Sequence, residues 1–284
     1  MAENLKGAPV AAAITEDLVL RTEKLKEKGI VPCLAILRVG ERESDLSYER
    51  GALKRCEKTG IAVKQFILPE DTAQEELMAA ISEMNRDRAI HGCLMLRPLP
   101  KTLDEKAACA ALDPKKDVDG ITAGSMAMIY SGNGVGFAPC TAQSCMEMLH
   151  YYGVDVSGRR AAVIGRSLVI GRPAAMLLMQ ENATVTVCHT GTRNMPEIVR
   201  EAEIVIVAAG KAEAIGAEYF REGQTVLDVG INWSEEKQKL VGDVDFAAAE
   251  PVVRAISPVP GGVGSVTTAV LCKHVIEAAE QAAD

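Results

Sequence analysis

Residues 159–173, Arg-Arg-Ala-Ala-Val-Ile-Gly-Arg-Ser-Leu-Val-Ile-Gly-Arg-Pro, constrain this chain more than any other stretch. A short aliphatic run enters a glycine turn and an amphipathic segment leaves it, the sequence form of a buried strand passing directly into a helix. Such a junction points backbone N–H groups and the positive end of a helix at one place, and so suits an anion. Gly165 lets the backbone turn sharply. Ser167 can cap the helix or donate to a phosphate, and Gly171 lets a pyrophosphate or a neighbouring element come close. The spacing is Gly-x-Ser-x-x-x-Gly-x-Pro rather than the Gly-x-Gly-x-x-Gly of the common dinucleotide fingerprint.

Around this turn the pattern alternates. Strands are expected at 160–164, 183–188, 203–208 and 225–229 and helices at 171–180 and 195–201, with a last helix at 266–282. The first half repeats the theme: helix 9–28, strand 31–39, helix 45–59, strand 61–67, helix 72–86, strand 91–96 and helix 103–111. Proline, glycine and polar residues break the pattern around 114–119 and 132–141, and 142–152 reads as a bridging helix. At 284 residues each half can bury its own core, and with aromatics at 4% those cores must be aliphatic. The expected fold is therefore α/β. An N-terminal α/β catalytic domain covers residues 1–145, joined by the C-terminal helix 269–284, and a Rossmann-type dinucleotide-binding domain covers 146–268, with a cleft between them.

Sequence also bears on the cofactor and on partners. In NAD-specific domains an acidic residue ending the second strand accepts bonds from the ribose hydroxyls and repels a 2′-phosphate. Here that strand ends in Cys188-His189-Thr190-Gly191-Thr192, without a carboxylate, while Arg166 can offer a guanidinium and Thr190 a hydroxyl. NADP is expected over NAD. A net charge of −8 argues against nucleic acid and anionic membrane surfaces as partners. The eight cysteines form no Cys-x-x-Cys pair and only four histidines accompany them, so they read as reduced thiols and no metal site is expected. No apolar run reaches the roughly 18 residues of a membrane span, and Met-Ala-Glu-Asn-Leu-Lys lacks a leader pattern, so the expected location is cytoplasmic.

Six motifs, in order, carry a resemblance across nearly the whole chain: Lys-Asp-Val-Asp-Gly (116–120), Pro-Cys-Thr (139–141), Gly-Arg-Ser-Leu-Val-Ile-Gly-Arg-Pro (165–173), Asp-Val-Gly-Ile-Asn (228–232), Val-Gly-Asp-Val (241–244) and Pro-Val-Pro-Gly-Gly-Val-Gly (258–264). Together they resemble the methylenetetrahydrofolate dehydrogenase/cyclohydrolase family. The resemblance implies oxidation of 5,10-methylenetetrahydrofolate to the methenyl cation with NADP, in one-carbon metabolism, by a cytosolic homodimer pairing through its Rossmann domains. It implies that Gly165, Arg166, Ser167, Thr190 and Ile231 line the dinucleotide. Tyr48, Asp119 and the turn Pro260-Gly261-Gly262 would line the folate, with Tyr48 and Asp119 as the catalytic pair. Physical chemistry suits Asp119 to that part, because a pterin presents adjacent N–H donors and one carboxylate accepts two of them.

The chain also departs from the family. A lysine usually follows the tyrosine by four residues on one helix, and here that position is Ala52. Lys54 lies about 120° round the helix, and Arg55, though on the Tyr48 face, titrates too high to shuttle protons. In Gly92-Cys-Leu-Met-Leu-Arg-Pro-Leu-Pro100 the family's glutamine position is Leu96, and Arg97 is a residue the family does not usually show. Milder departures are Ser265-Val266-Thr267 after the glycine loop and Ala142-Gln143-Ser144 after Pro-Cys-Thr. Hydride transfer needs orientation more than proton exchange, whereas opening the methenyl ring needs protons moved. The expectation is an NADP-dependent dehydrogenase with cyclohydrolase activity weak or absent. The alternatives are a fully bifunctional enzyme giving 10-formyltetrahydrofolate, with Arg55, Arg97 or water as substitutes, and a non-catalytic folate or nucleotide binder.

Overall fold

The computed structural model describes residues 1–283. After a short strand β1 (Glu3–Asn4) the chain forms α1 (Gly7–Glu27), β2 (Cys33–Val39), α2 (Glu43–Thr59), β3 (Ala62–Leu68), α3 (Gln74–Arg86), β4 (Gly92–Met95), α4 (Glu105–Ala111) and α5 (Ala123–Ser131). The helix α6 (Cys140–Tyr151) leads into β5 (Arg160–Ile164), α7 (Gly171–Gln180), β6 (Thr184–Cys188), α8 (Met195–Arg200), β7 (Ile204–Val207) and β8 (Thr225–Asp228). A hairpin of β9 (Asn232–Ser234) and β10 (Lys239–Val241) follows, then α9 (Phe246–Ala249), β11 (Ala255–Ile256) and α10 (Thr267–Gln281).

Residues 13–140, with those from Thr268 onward, form one unit. Its three strands are parallel in the order β3-β2-β4, and every residue of β2 is buried, as its unbroken aliphatic run requires. Alternation divides that strand between two layers. Cys33, Ala35, Leu37 and Val39 pack with Leu77, Ile81 and Met84 of α3, while Arg38, on the opposite face, reaches Glu49 of α2. Helix α5 lies between the two broken stretches, where the sequence pattern assigns no element. Gly124 and Ser125 weaken its helical pattern, but Thr122 caps its start by accepting from the Ser125 N–H at 3.1 Å, and Gly132 in the left-handed region ends it.

Residues 1–12 and 141–267 form the other unit, whose six parallel strands run β1-β11-β8-β7-β5-β6. This is a doubly wound sheet in which the chain leaves β5 to the edge at β6 and then crosses back to β7, so the order reverses between β5 and β7. The α/β fold class is as expected, and the two units differ from the expected limits of 145/146 and 268/269 by a few residues at 141–145 and 268 and, more substantially, at the N-terminus. Residues 1–12 do not belong with the first α/β unit, because β1 adds to the edge of the second sheet, pairing Glu3 with Ala255 and Asn4 with Ile256. The core of this unit is aliphatic, drawn from Ile164, Val205, Val207, Val226 and Ile256.

Candidate active site

The glycine turn sits at the reversal of strand order, the place where open α/β sheets take ligands. Gly165 has φ +117°, and a Cβ there would collide with the Ala208 carbonyl at the end of β7. Only glycine lets these two strand ends close together. The Gly165 N–H donates to the Cys188 carbonyl at 2.9 Å, which ties the turn to the end of β6 as well. Ser167 closes the turn that precedes α7: its hydroxyl accepts from the Ile170 N–H at 3.1 Å and its carbonyl from the Arg172 N–H at 3.1 Å, while the residue that starts the helix, Ile170, has no side-chain cap.

Arg166 and Thr190 are exposed on the adjacent loops that follow β5 and β6. Among the described residues Arg166 has no hydrogen-bond or ion-pair partner, so its guanidinium is uncommitted. No carboxylate stands in the 189–192 turn, which is closed instead by its own groups, His189 N–H to Thr192 Oγ1 at 2.9 Å and Gly191 N–H to His189 Nδ1 at 3.1 Å. The residues present therefore fit a phosphorylated ribose. Ile231 is 61% exposed just after β8. It lies against Gly264, so the 258–264 loop stands beside it, and that loop is held at its other side by the Gly7 N–H donating to the Gly261 carbonyl at 2.8 Å.

Tyr48, Ala52, Leu96 and Asp119 belong to the first α/β unit. Helix α2 turns a stripe inward, Asp45, Glu49, Ala52, Cys56 and Thr59, and Tyr48 is half-buried at its margin. Ala52 is fully enclosed. Leu96 continues β4, its N–H donating to the Leu37 carbonyl at 2.9 Å, and by the parallel register it stands beside Arg38 on the sheet face that α2 covers. Ala52 and Leu96 thus share one layer of the fold. Lys54 is exposed, and Arg55 donates to Thr15 Oγ1 at 2.7 Å. Arg97 donates to Glu105 at 3.3 Å, and the same carboxylate accepts from the Leu99 N–H at 2.8 Å.

The Lys-Asp-Val-Asp-Gly segment holds two carboxylates in different states. Asp117 is buried and fully engaged, accepting from the Ile121 N–H at 3.0 Å, the Thr122 N–H at 2.7 Å and Ser125 Oγ at 2.6 Å. Asp119 is partly accessible, and burial together with the charge of Asp117 pushes it up to about 6. The Cys140 thiol and backbone N–H, and the charge of Arg97, pull the other way. Sequence reasoning assigns Cys140 no role within Pro-Cys-Thr and misses its neighbour His274, whose Nδ1 lies 2.9 Å from the Val118 carbonyl. It also missed the buried Arg38–Glu49 pair, 2.7 Å apart, with Gln65 donating to Glu49 at 2.7 Å. The stripe of α2 was a legible signal for Glu49; nothing local signals His274.

A doubly wound sheet with a glycine turn at its switch point in one unit, and a half-buried carboxylate in a separate α/β unit, describe a two-domain enzyme with a dinucleotide turn. Comparison with known proteins makes this specific. Residues 5–119 match the catalytic domain of tetrahydrofolate dehydrogenase/cyclohydrolase, and residues 139–283 match its NAD(P)-binding domain. The chain belongs to the tetrahydrofolate dehydrogenase/cyclohydrolase family. It is 50% identical over 281 residues to the bifunctional protein FolD of Carboxydothermus hydrogenoformans, covering 99% of this chain and 98% of that one. The crystal structure of the bifunctional FolD of Campylobacter jejuni superposes with a TM-score of 0.95 at 37% identity, covering 99% of both chains. The FolD of Trypanosoma brucei, solved with NADP and an inhibitor, gives 0.92 at 33% identity, covering 99% of this chain and 98% of that one.

Proposed function

We propose that this enzyme oxidises 5,10-methylenetetrahydrofolate to 5,10-methenyltetrahydrofolate with NADP, and that its cyclohydrolase activity is weak or absent. The observation that carries the second clause is the pair of inert side chains, Ala52 and Leu96, in one layer beside α2. Neither can give or take a proton. NADP, when bound, would supply the hydride acceptor; the folate nitrogen's lone pair stabilises the cation left behind, so no side chain need exchange a proton.

The chain's own residues bind and orient. Asp119, ionised at neutral pH, would accept the paired N–H donors of the pterin, with Tyr48 and the Pro260-Gly261-Gly262 turn as further contacts of the folate. Arg166 and Thr190 would take the 2′-phosphate, with Gly165, Ser167 and Ile231 along the rest of the dinucleotide. The eight free thiols suit a reducing cytosol. The occupant of the exposed edge at β6 is read as a second copy of the chain, giving a homodimer.

A fully bifunctional enzyme is the second reading, supported by the names of relatives that match over nearly the whole chain. One assay separates them. With methylenetetrahydrofolate and NADP, the nicotinamide band should grow and the methenyl band should accumulate with it, decaying only at the buffer rate. Hydrolysis far above that rate would establish the second reading. Under the first reading, Ala52→Lys with Leu96→Gln should raise hydrolysis by about tenfold or more, the low side of the roughly 10²–10⁴ that acid–base groups contribute.

A further inference from the structure

Asp-Val-Gly-Ile-Asn and Val-Gly-Asp-Val are two of the motifs that mark this chain, yet neither Asp228 nor Asp243 is placed to touch a folate or a phosphate: both are buried. What they hold is backbone. Asp243 accepts from the N–H groups of Gly210 and Lys211, each at 2.9 Å, and from Asn232 Nδ2 at 2.9 Å. Asp228 accepts from the N–H groups of Gly230 at 3.0 Å, Asp243 at 3.1 Å and Val244 at 2.9 Å. Two carboxylates therefore gather six N–H donors from the loop after β7, the loop after β8 and the segment after β10. The glycines make this possible, since a Cβ at Gly230 would collide with the Asp243 carboxyl and one at Gly242 with that of Asp228.

The sheet order says which part of a ligand those loops face. The phosphate end of the dinucleotide is assigned to the loops after β5 and β6, where Arg166 and Thr190 stand. A molecule crossing the switch point from there has only the β7 and β8 side left for its other end. The loops on that side, 208–211 and 229–232, are the two that Asp243 joins, and Ile231 projects from the second. We propose that Asp228 and Asp243 are positioning residues that hold these two loops in register for the nicotinamide half of the dinucleotide. The proposal rests on the NADP reading above. It differs from a general structural role in predicting that the two halves of the cofactor respond differently.

The experiment compares 2′,5′-ADP, which carries only the adenine and 2′-phosphate end, with NADP on the purified enzyme and on Asp243→Asn. The asparagine keeps the shape but turns an N–H against one of three donors. The KM for NADP should rise about tenfold or more, as expected for a lost charge-assisted hydrogen bond, while inhibition by 2′,5′-ADP stays within about twofold. Should Asp243→Asn fail to fold, Asn232→Ala removes a single donor from a half-buried site and should show the same split at smaller size. Equal loss of 2′,5′-ADP and NADP binding, or no loss of either, overturns the proposal. A parent enzyme that binds neither compound overturns the NADP reading, and this proposal with it.

Discussion

Asp117 and Asp119 stand one residue apart and differ in every property that decides chemistry. The first spends both oxygens on the start of α5, whereas the second keeps an accessible face and titrates near 6 because it is buried beside another acid. Protonation would remove an acceptor that a pterin's paired N–H groups need. The KM for folate should therefore rise as pH falls through about 6, and Asp119→Asn should raise it at all pH values and flatten that dependence, read from initial rates between mild acid and neutrality. Arg97, Asp117 and Cys140 are the groups that set the midpoint. Folding responds with the opposite sign. The native carboxyl keeps its proton to higher pH than the unfolded chain does, so its contribution to stability is full below about 4 and is lost as pH rises through the native value. Nothing within Lys-Asp-Val-Asp-Gly separates these two carboxylates; the resemblance singles out Asp119, and the hydrogen bonds of Asp117 give the physical reason.

Helix α2 shows how far patterning alone reaches. Its limits and its buried face follow from spacing, and so does the exposure of Lys54. Its inward glutamate is another matter. Glu49 is buried because Arg38 arrives from the neighbouring strand and Gln65 from the edge strand, contacts set by sheet register rather than by the helix. Glu49→Ala should leave the Arg38 guanidinium buried without its counter-ion, at a cost of about 3–5 kcal/mol in thermal or denaturant unfolding. The elements that sequence reading missed, β1, β11, the β9–β10 hairpin and α5, are short or rich in weak formers. They exist because neighbours pair with them or cap them, and a window of periodicity carries no record of a neighbour. The glycine turn was legible for the contrary reason: its constraint is local. Asp243 stands in a motif that by itself gives it no role, since its work appears only once three segments from separate parts of the chain meet.

At the scale of the molecule, the sheet of the nucleotide-binding unit is protected at one end and open at the other. The N-terminal strand β1 adds to β11, but among the described residues no strand pairs with the outer edge of β6, which ends the sheet. Val187 on that strand is 38% exposed, and Leu168, Val169 and Met179 expose about half their surface in the same unit. A bare, β-branched edge of this kind is a template for another strand, which proteins blunt with lysine or proline unless it is used. None is present in Thr184-Val-Thr-Val-Cys188. A second copy pairing through β6 would cover the edge and the aliphatic groups together, and its own symmetry would close the assembly at two. Sedimentation should therefore give a dimer for the parent enzyme and a monomer for Val187→Lys, with the circular dichroism of the two alike. A variant that stays dimeric places the contact elsewhere on the molecule. A parent that sediments as a monomer leaves the β6 edge uncovered in solution and removes the argument for pairing.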